Sequence, residues 1–141
     1  MGLIFETLAI DCADPQRLAG FWTEALDYRQ LSSDHPDEIG IVPDGEHEGG
    51  RGQEILFLRV PEGKTIKNRL HLDLRPADQA AEVERLLKLG ATRVDIGQGQ
   101  QTWVVLADPE GNEFCVLRVL TPGERAARAK KRAQAQTQTT E

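Results

Sequence analysis

An α+β fold built from two consecutive βαβββ modules is what this sequence predicts, and three observations carry it. The first is internal repetition. Thr-Leu-Ala-Ile-Asp-Cys-Ala-Asp from Thr7 superposes on His-Leu-Asp-Leu-Arg-Pro-Ala-Asp from His71, so Thr7 falls on His71, Asp11 on Arg75 and Asp14 on Asp78. The second is a change of period. Each copy starts as an alternating run and passes at once into helical spacing. The third is punctuation. Short apolar runs follow each helix, and the last two are joined by Asp108-Pro109-Glu110-Gly111-Asn112, a strong hairpin-turn signal.

The elements follow in order. Phe5–Cys12 reads as a strand, with Leu8 and Ile10 on one face and Thr7, Ala9 and Asp11 on the other. Asp14 supplies a helix cap and Pro15 the first helical position. Leu18, Phe21, Trp22 and Ala25 then recur at helical spacing, which predicts a helix over 15–26. Tyr28–Leu31, Ile39–Val42 and Ile55–Val60 complete the first module as strands. The polar, Gly-rich Pro43–Gln53 reads as an exposed loop. In the second module Arg69–Arg75 is a strand with Leu70, Leu72 and Leu74 on one face and His71, Asp73 and Arg75 on the other. Asp78 opens a helix through Leu89 with Ala80, Val83, Leu86 and Leu87 as its buried stripe, and Gly90 ends it. Arg93–Ile96, Thr102–Ala107 and Glu113–Leu120 are the remaining strands. The modules span about 3–60 and 68–120, within a single domain over 1–120. Their apolar strand faces are expected to pack under the helices, leaving the polar faces to line a shared concavity.

Composition bounds the function. A chain of 141 residues suits one domain with a real core, and 39% hydrophobic with 28% charged residues is a globular balance. Seventeen basic residues against 23 acidic give a net charge of −6, which argues against nucleic acid or an anionic membrane surface as the main partner. No apolar run reaches the roughly 20 residues of a membrane helix. The opening residues lack a basic leader segment, so no signal peptide and a cytoplasmic location are expected. Cys12 and Cys115 then read as free thiols. Residues 121–141 set Arg125, Arg128, Lys130, Lys131 and Arg132 against Glu124 and Glu141 alone. This basic segment lacks large apolar side chains and reads as a flexible tail, with Glu124–Gln136 able to support a frayed helix.

Few residues offer chemistry. His71 sits mid-strand on the polar face, and Asp73 two positions on points the same way; a carboxylate beside an imidazole fixes its tautomer and raises its basicity. That pair is the candidate general acid–base, the alternative being a histidine bonded within the sheet. Asp11 is either a cleft carboxylate or a local acceptor for backbone amides of the turn that follows it. Trp103 shares strand parity with Val105 and could floor a pocket for a flat ligand, whereas Trp22 on the first helix reads as core. His35, Glu46, His47 and Glu48 lie in polar loop sequence and read as solvated, or as part of a lid. No phosphate loop and no Ser/His/Asp motif is visible.

Three segments, LAIDCADPQRLAGFWTEAL at 8–26, RVPEGKTIKNRLHLDLRP at 59–76 and VVLADPEGNEFCVL at 104–117, make the chain resemble the vicinal oxygen chelate superfamily, and more narrowly its glyoxalase-like domain branch. That superfamily includes glyoxalase I, bleomycin-resistance proteins and extradiol dioxygenases. The resemblance covers about residues 3–120. It implies that the paired modules form a glyoxalase-like half-barrel cleft, with metal ligands in metal-dependent members on the first, fourth, fifth and eighth strands. Those positions fall here on Thr7, on Phe57 or Leu58, on His71 and on Cys115. Only His71 and Cys115 are ligand types, so no metal and no other cofactor is expected; Asp11, Asp73 or Glu113 would have to supply a third donor. The expected function is a metal-independent small-molecule site between the modules. His71 and Asp73 are its acid–base groups, and Thr7, Asp11, Leu58, Trp103 and Cys115 lie around the ligand. The alternatives are a sequestering protein of the bleomycin-resistance type, or a divalent-metal lyase or dioxygenase. A homodimer is expected as well, from apolar residues left exposed on a small domain.

Overall fold

The structure, a computed structural model, describes residues 3, 5–43 and 53–137. The first module runs β1 (Leu8–Cys12), α1 (Pro15–Leu26), β2 (Tyr28–Gln30), β3 (Glu38–Pro43) and β4 (Ile55–Arg59). The second runs β5 (Asp73–Leu74), α2 (Gln79–Leu89), β6 (Thr92–Arg93), β7 (Val104–Ala107) and β8 (Glu113–Val116), and α3 (Pro122–Thr137) follows. Each module folds its strands into a four-stranded sheet, ordered β1-β4-β3-β2 and β5-β8-β7-β6. The first strand of each pairs in parallel with the last, Ile10 opposite Phe57 and Asp73 opposite Cys115, while the others run antiparallel. The predicted α+β architecture of two tandem βαβββ modules is therefore the observed one.

Local chemistry fixes both helices. The Asp14 side chain accepts from Arg17 N at 3.1 Å and Pro15 occupies the first turn; Asp27 ends α1 in the left-handed region at φ 56°. In α2 the Asp78 side chain accepts from Ala81 N at 3.1 Å. Gly90, at φ 115°, closes that helix with its N–H on Leu87 O at 3.2 Å. A Cβ there would meet only Pro109 Cγ at 3.7 Å, an ordinary contact. Gly90→Ala is thus expected to cost about 1–2 kcal/mol through backbone strain alone, read as a lower urea midpoint at unchanged m-value.

The two modules share one core. Phe21 and Trp22 of α1 stack edge-on with centroids 5.2 Å apart, and Trp22 meets Phe114 of β8 at 4.9 Å. The helix of the first module is thereby anchored on the sheet of the second. Arg85 of α2 adds a second clamp, donating to Glu24 O at 3.0 Å and Ala25 O at 3.1 Å, the carbonyls that α1 leaves unpaired at its end.

Two expectations need correcting. The strand expected over Arg69–Arg75 is laddered only at Asp73–Leu74. With Asp73 opposite Cys115, residues before His71 run past Glu113, where β8 begins, and have no strand partner there. The apolar faces of β1 and β5 pack against the core only in part. Both strands are sheet edges, and α1 lies over β2, β3 and β4, so Leu8, Ile10, Leu72 and Leu74 stay half-buried. After β8 the chain forms a helix of 16 residues over the span that was expected to be able to support one. Thr121 and Glu124 form a reciprocal capping box, Glu124 N donating to Thr121 Oγ1 at 3.2 Å and Thr121 N to Glu124 Oε2 at 2.8 Å. Arg118 pairs with the same carboxylate at 2.5 Å and, with the Thr121 N–H, holds its pKa down at about 2.

Candidate functional site

Among the described residues, two places offer chemistry. The first is a cavity of about 690 Å³ between the modules. Its walls are Leu8 and Ile10 from β1, Leu72 and Leu74 from β5, and Trp22 and Phe114 from the shared core. It exists because both edge strands turn uncovered apolar faces toward each other. Phe5, Arg69, Leu70 and His71, all exposed, form its rim.

One buried polar group stands at its inner end. Asp108, 3% exposed, accepts from Trp22 Nε1 at 3.0 Å, from Glu110 N at 2.9 Å and from Asn112 N at 3.0 Å, while Asn112 Nδ2 also reaches it. Burial pushes its pKa above the ordinary carboxylate value, although bonds from Asn112, Trp22 and Glu110 pull the other way. Its donors are all accounted for, so Asp108 is a tie between the hairpin turn and α1.

The second place is on the opposite face of the second sheet. Strand alternation aims His71 and Asp73 the same way, and the β5–β8 register sets Cys115 directly beside Asp73. His71 Nε2 lies 3.3 Å from Asp73 Oδ1, and one ligand-type atom from each of the three residues falls within 4.8 Å of the others. His71 and Asp73 are exposed and Cys115 is buried. Burial raises the Cys115 pKa, and so do the Asp73 charge and the hydrogen bond the thiol gives it; Lys67 opposes them weakly. Burial and Glu110 likewise push Cys12 up to about 11. Neither cysteine is a ready nucleophile at neutral pH.

The other expected site residues are dispersed. Thr7 Oγ1 donates to Glu54 O at 3.1 Å and ties β1 to its neighbour strand. Asp11 is exposed opposite half-buried Leu58. This register decides between the two residues left open for the fourth strand: Leu58 shares the face of Thr7, and Phe57 points into the core. Trp103, 37% exposed, lines a separate open groove of about 790 Å³ with Arg93 and Gln100. Of the expected residues only His71 lines the inter-module cavity. Glu113 is already engaged by Lys64 Nζ at 2.9 Å and Asn68 N at 2.9 Å; burial would raise its pKa, but these partners bring it below the usual range. Of the loop cluster, Glu46, His47 and Glu48 lie outside the described residues; Ser33 Oγ donates to His35 O. Sequence reasoning missed the cavity walls. The available signal was that Leu70, Leu72 and Leu74 offer more apolar surface than the narrow stripe of α2, where Val83 and Leu86 are the buried residues, can cover.

The metal implied by the resemblance would meet poor ligands at two of its four positions. Thr7, bonded to a backbone carbonyl, and apolar Leu58 offer no adequate donors. His71, Asp73 and Cys115 do form a three-donor set of imidazole, carboxylate and thiol. That mixture suits zinc and not the hard, oxygen-seeking manganese or magnesium.

Comparison with known proteins bears on the family. No curated protein matches the chain in sequence. Among solved structures, a glyoxalase/bleomycin resistance protein/dioxygenase family enzyme from Burkholderia phytofirmans PsJN is 21% identical, covering 82% of this chain and 98% of its own, with a TM-score of 0.56. The fosfomycin resistance protein FosX from Mesorhizobium loti is 16% identical, covering 90% and 99%, with a TM-score of 0.59. TnmS3, an antibiotic binding protein from Streptomyces sp. CB03234, is 17% identical, covering 85% and 99%, with a TM-score of 0.57. These likenesses, all below 25% identity, show a shared fold. No helix among the described residues is long and apolar enough to cross a membrane. The model of the glyoxalase-like domain matches residues 7–117, most of the sequence, and the chain therefore belongs to the glyoxalase-like domain family.

Proposed function

We propose that the chain binds a compact, partly apolar organic molecule in the cavity between its modules, and that this binding needs no metal ion. The observation that carries the reading is the division of the cavity. Apolar walls come from both modules, and the polar groups Arg69 and His71 stand at the rim. Its volume of about 690 Å³ is that of a drug-sized ligand site. Such a ligand gains by taking Leu8, Ile10, Leu72 and Leu74 out of water, while a polar end stays at the rim. His71, oriented by Asp73, is the group placed to hold or move a proton there. A sequestering role without turnover is the second reading, favoured by the antibiotic-binding protein among the structural neighbours. The rim also exposes Phe5 at 69% and Leu70 at 84%, apolar area that a second copy of the chain would cover. We read the protein as a homodimer on that ground.

Trp22 lines the cavity and serves as the reporter. In a Trp103→Phe background, titration with a panel of apolar antibiotics and metabolites is expected to shift Trp22 emission for at least one compound. The response should be the same with and without EDTA. Leu72→Phe, which adds bulk to the wall, should weaken that binding at least tenfold. Emission that no compound perturbs, or binding indifferent to Leu72→Phe, would remove the reading.

A further inference from the structure

We infer that the open groove beside Trp103 is a second binding site, and that it takes a neutral, polyhydroxylated ligand, a sugar chain lying on the indole. The groove shares no lining residue with the inter-module cavity, so either site can fail without the other.

The aromatic surface is the first argument. Of the two tryptophans Trp22 is buried in the core, while Trp103 is exposed and lines a groove of about 790 Å³. A pyranose ring carries C–H groups on its faces and hydroxyls around its edge, so its face suits the electron-rich face of an indole. The polar groups around the indole are the second. Neither the Gln100 amide nor the Trp103 indole N–H has a protein partner among the described residues, and Asp95 has committed one oxygen to Gly97 N at 2.8 Å. Amides and carboxylates donate to and accept from hydroxyls, which do both. A flat apolar ligand would cover the same indole and leave those groups unpaired. Rigidity is the third. Gln98 Oε1 accepts from Ile96 N at 2.7 Å, and Gln101 Nε2 donates to Gln98 O at 2.9 Å. Gly97 at φ 80° and Gly99 at φ 63° supply the left-handed turns this bracing needs. Gln79 Nε2 donates to Thr102 O at 2.9 Å and ties the end of the loop to α2. A loop held by its own side chains presents its remaining groups with little ordering cost. Charge is the fourth. The groove's described charged residues are Arg93 and Asp95, one of each sign, which favours a neutral ligand over an ion. Because the groove is open, it fits an extended chain better than a compact molecule that must be enclosed.

Cellohexaose, maltohexaose and chitohexaose are the probes, titrated into the full chain by calorimetry. At least one is expected to bind saturably, with an affinity that stays the same between about 0.05 and 0.5 M sodium chloride because the ligand is neutral. Trp103→Ala should weaken that binding about tenfold or more, through loss of the stacked face. Gln100→Ala should weaken it about threefold, the share of one hydrogen bond. Both change exposed side chains, and circular dichroism checks that each is folded. In a Trp22→Phe background the same sugar should shift the emission of Trp103, a readout that holds even if Trp103→Ala fails to fold. Leu72→Phe, which narrows the cavity, should leave sugar binding unchanged and so separates the two sites. The inference is overturned if none of the three sugars binds, if binding persists in Trp103→Ala, if it follows salt, if it leaves Trp103 emission unmoved, or if Leu72→Phe removes it.

Discussion

Trp22→Ala is expected to destabilise the protein by about 3–5 kcal/mol, the usual cost of truncating a buried aromatic. Trp22 is 1% exposed and stands where the modules meet, stacked on Phe21 and Phe114. Its removal would strip Phe114 of a ring contact, leave Asp108 without one donor and widen the inter-module cavity into the core. Trp22→Phe keeps most of the ring and loses only the indole N–H, so it should cost clearly less. Urea unfolding followed by far-ultraviolet circular dichroism measures both. A Trp22→Ala loss below about 1 kcal/mol would mean that the modules are held together elsewhere.

Asp108→Ala comes next, with an expected loss of about 3 kcal/mol. The carboxylate serves Trp22 Nε1, the backbone N–H groups of Glu110 and Asn112, and the Asn112 amide. Alanine would leave those donors without their carboxylate acceptor. Asp108→Asn retains a carbonyl and should cost less. A pH signature accompanies the change. The folded pKa of Asp108 is raised, so its burial penalty is fully present above that folded value, lessens as pH falls through it, and vanishes below the ordinary carboxylate value of 3.8. Unfolding titrations of wild type and Asp108→Asn should therefore converge as pH is lowered through the acid range. Parallel curves would show that the group titrates alike folded and unfolded.

What the sequence made legible was whatever is written locally. Helix α1 begins and ends where the reading put it because Asp14 and Pro15 fix its start through contacts three residues long. The hairpin at Asp108–Asn112 and the Gly90 terminator are local in the same sense. Pairings between distant segments were less accessible. Asp73 meets Cys115 only because β5 runs parallel to β8, and that register is not encoded in either segment alone. The apolar cavity between the modules was illegible for a related reason. Alternation correctly sorted Leu72 from His71, but it does not reveal that a strand lies at a sheet edge beyond the reach of its helix. Helix α3 is local as well: it covers the Glu124–Gln136 span whose Ala, Arg and Lys content allows a helix, and the Thr121-Pro122-Gly123-Glu124 capping box sets its start.

The capped helix α3 has an electrostatic consequence. Sixteen residues of helix make a rod about 24 Å long. Arg125, Arg128, Lys130, Lys131 and Arg132 sit along it with exposed side chains, while the chain as a whole carries a net charge of −6. The molecule is therefore a permanent dipole, cationic along one rod and anionic over the body. The rod itself is longer than the roughly 10 Å over which 0.1 M salt screens charge. In dilute buffer a field from any charged surface will orient the protein before contact, and added salt will erase that torque well before it affects the packed core.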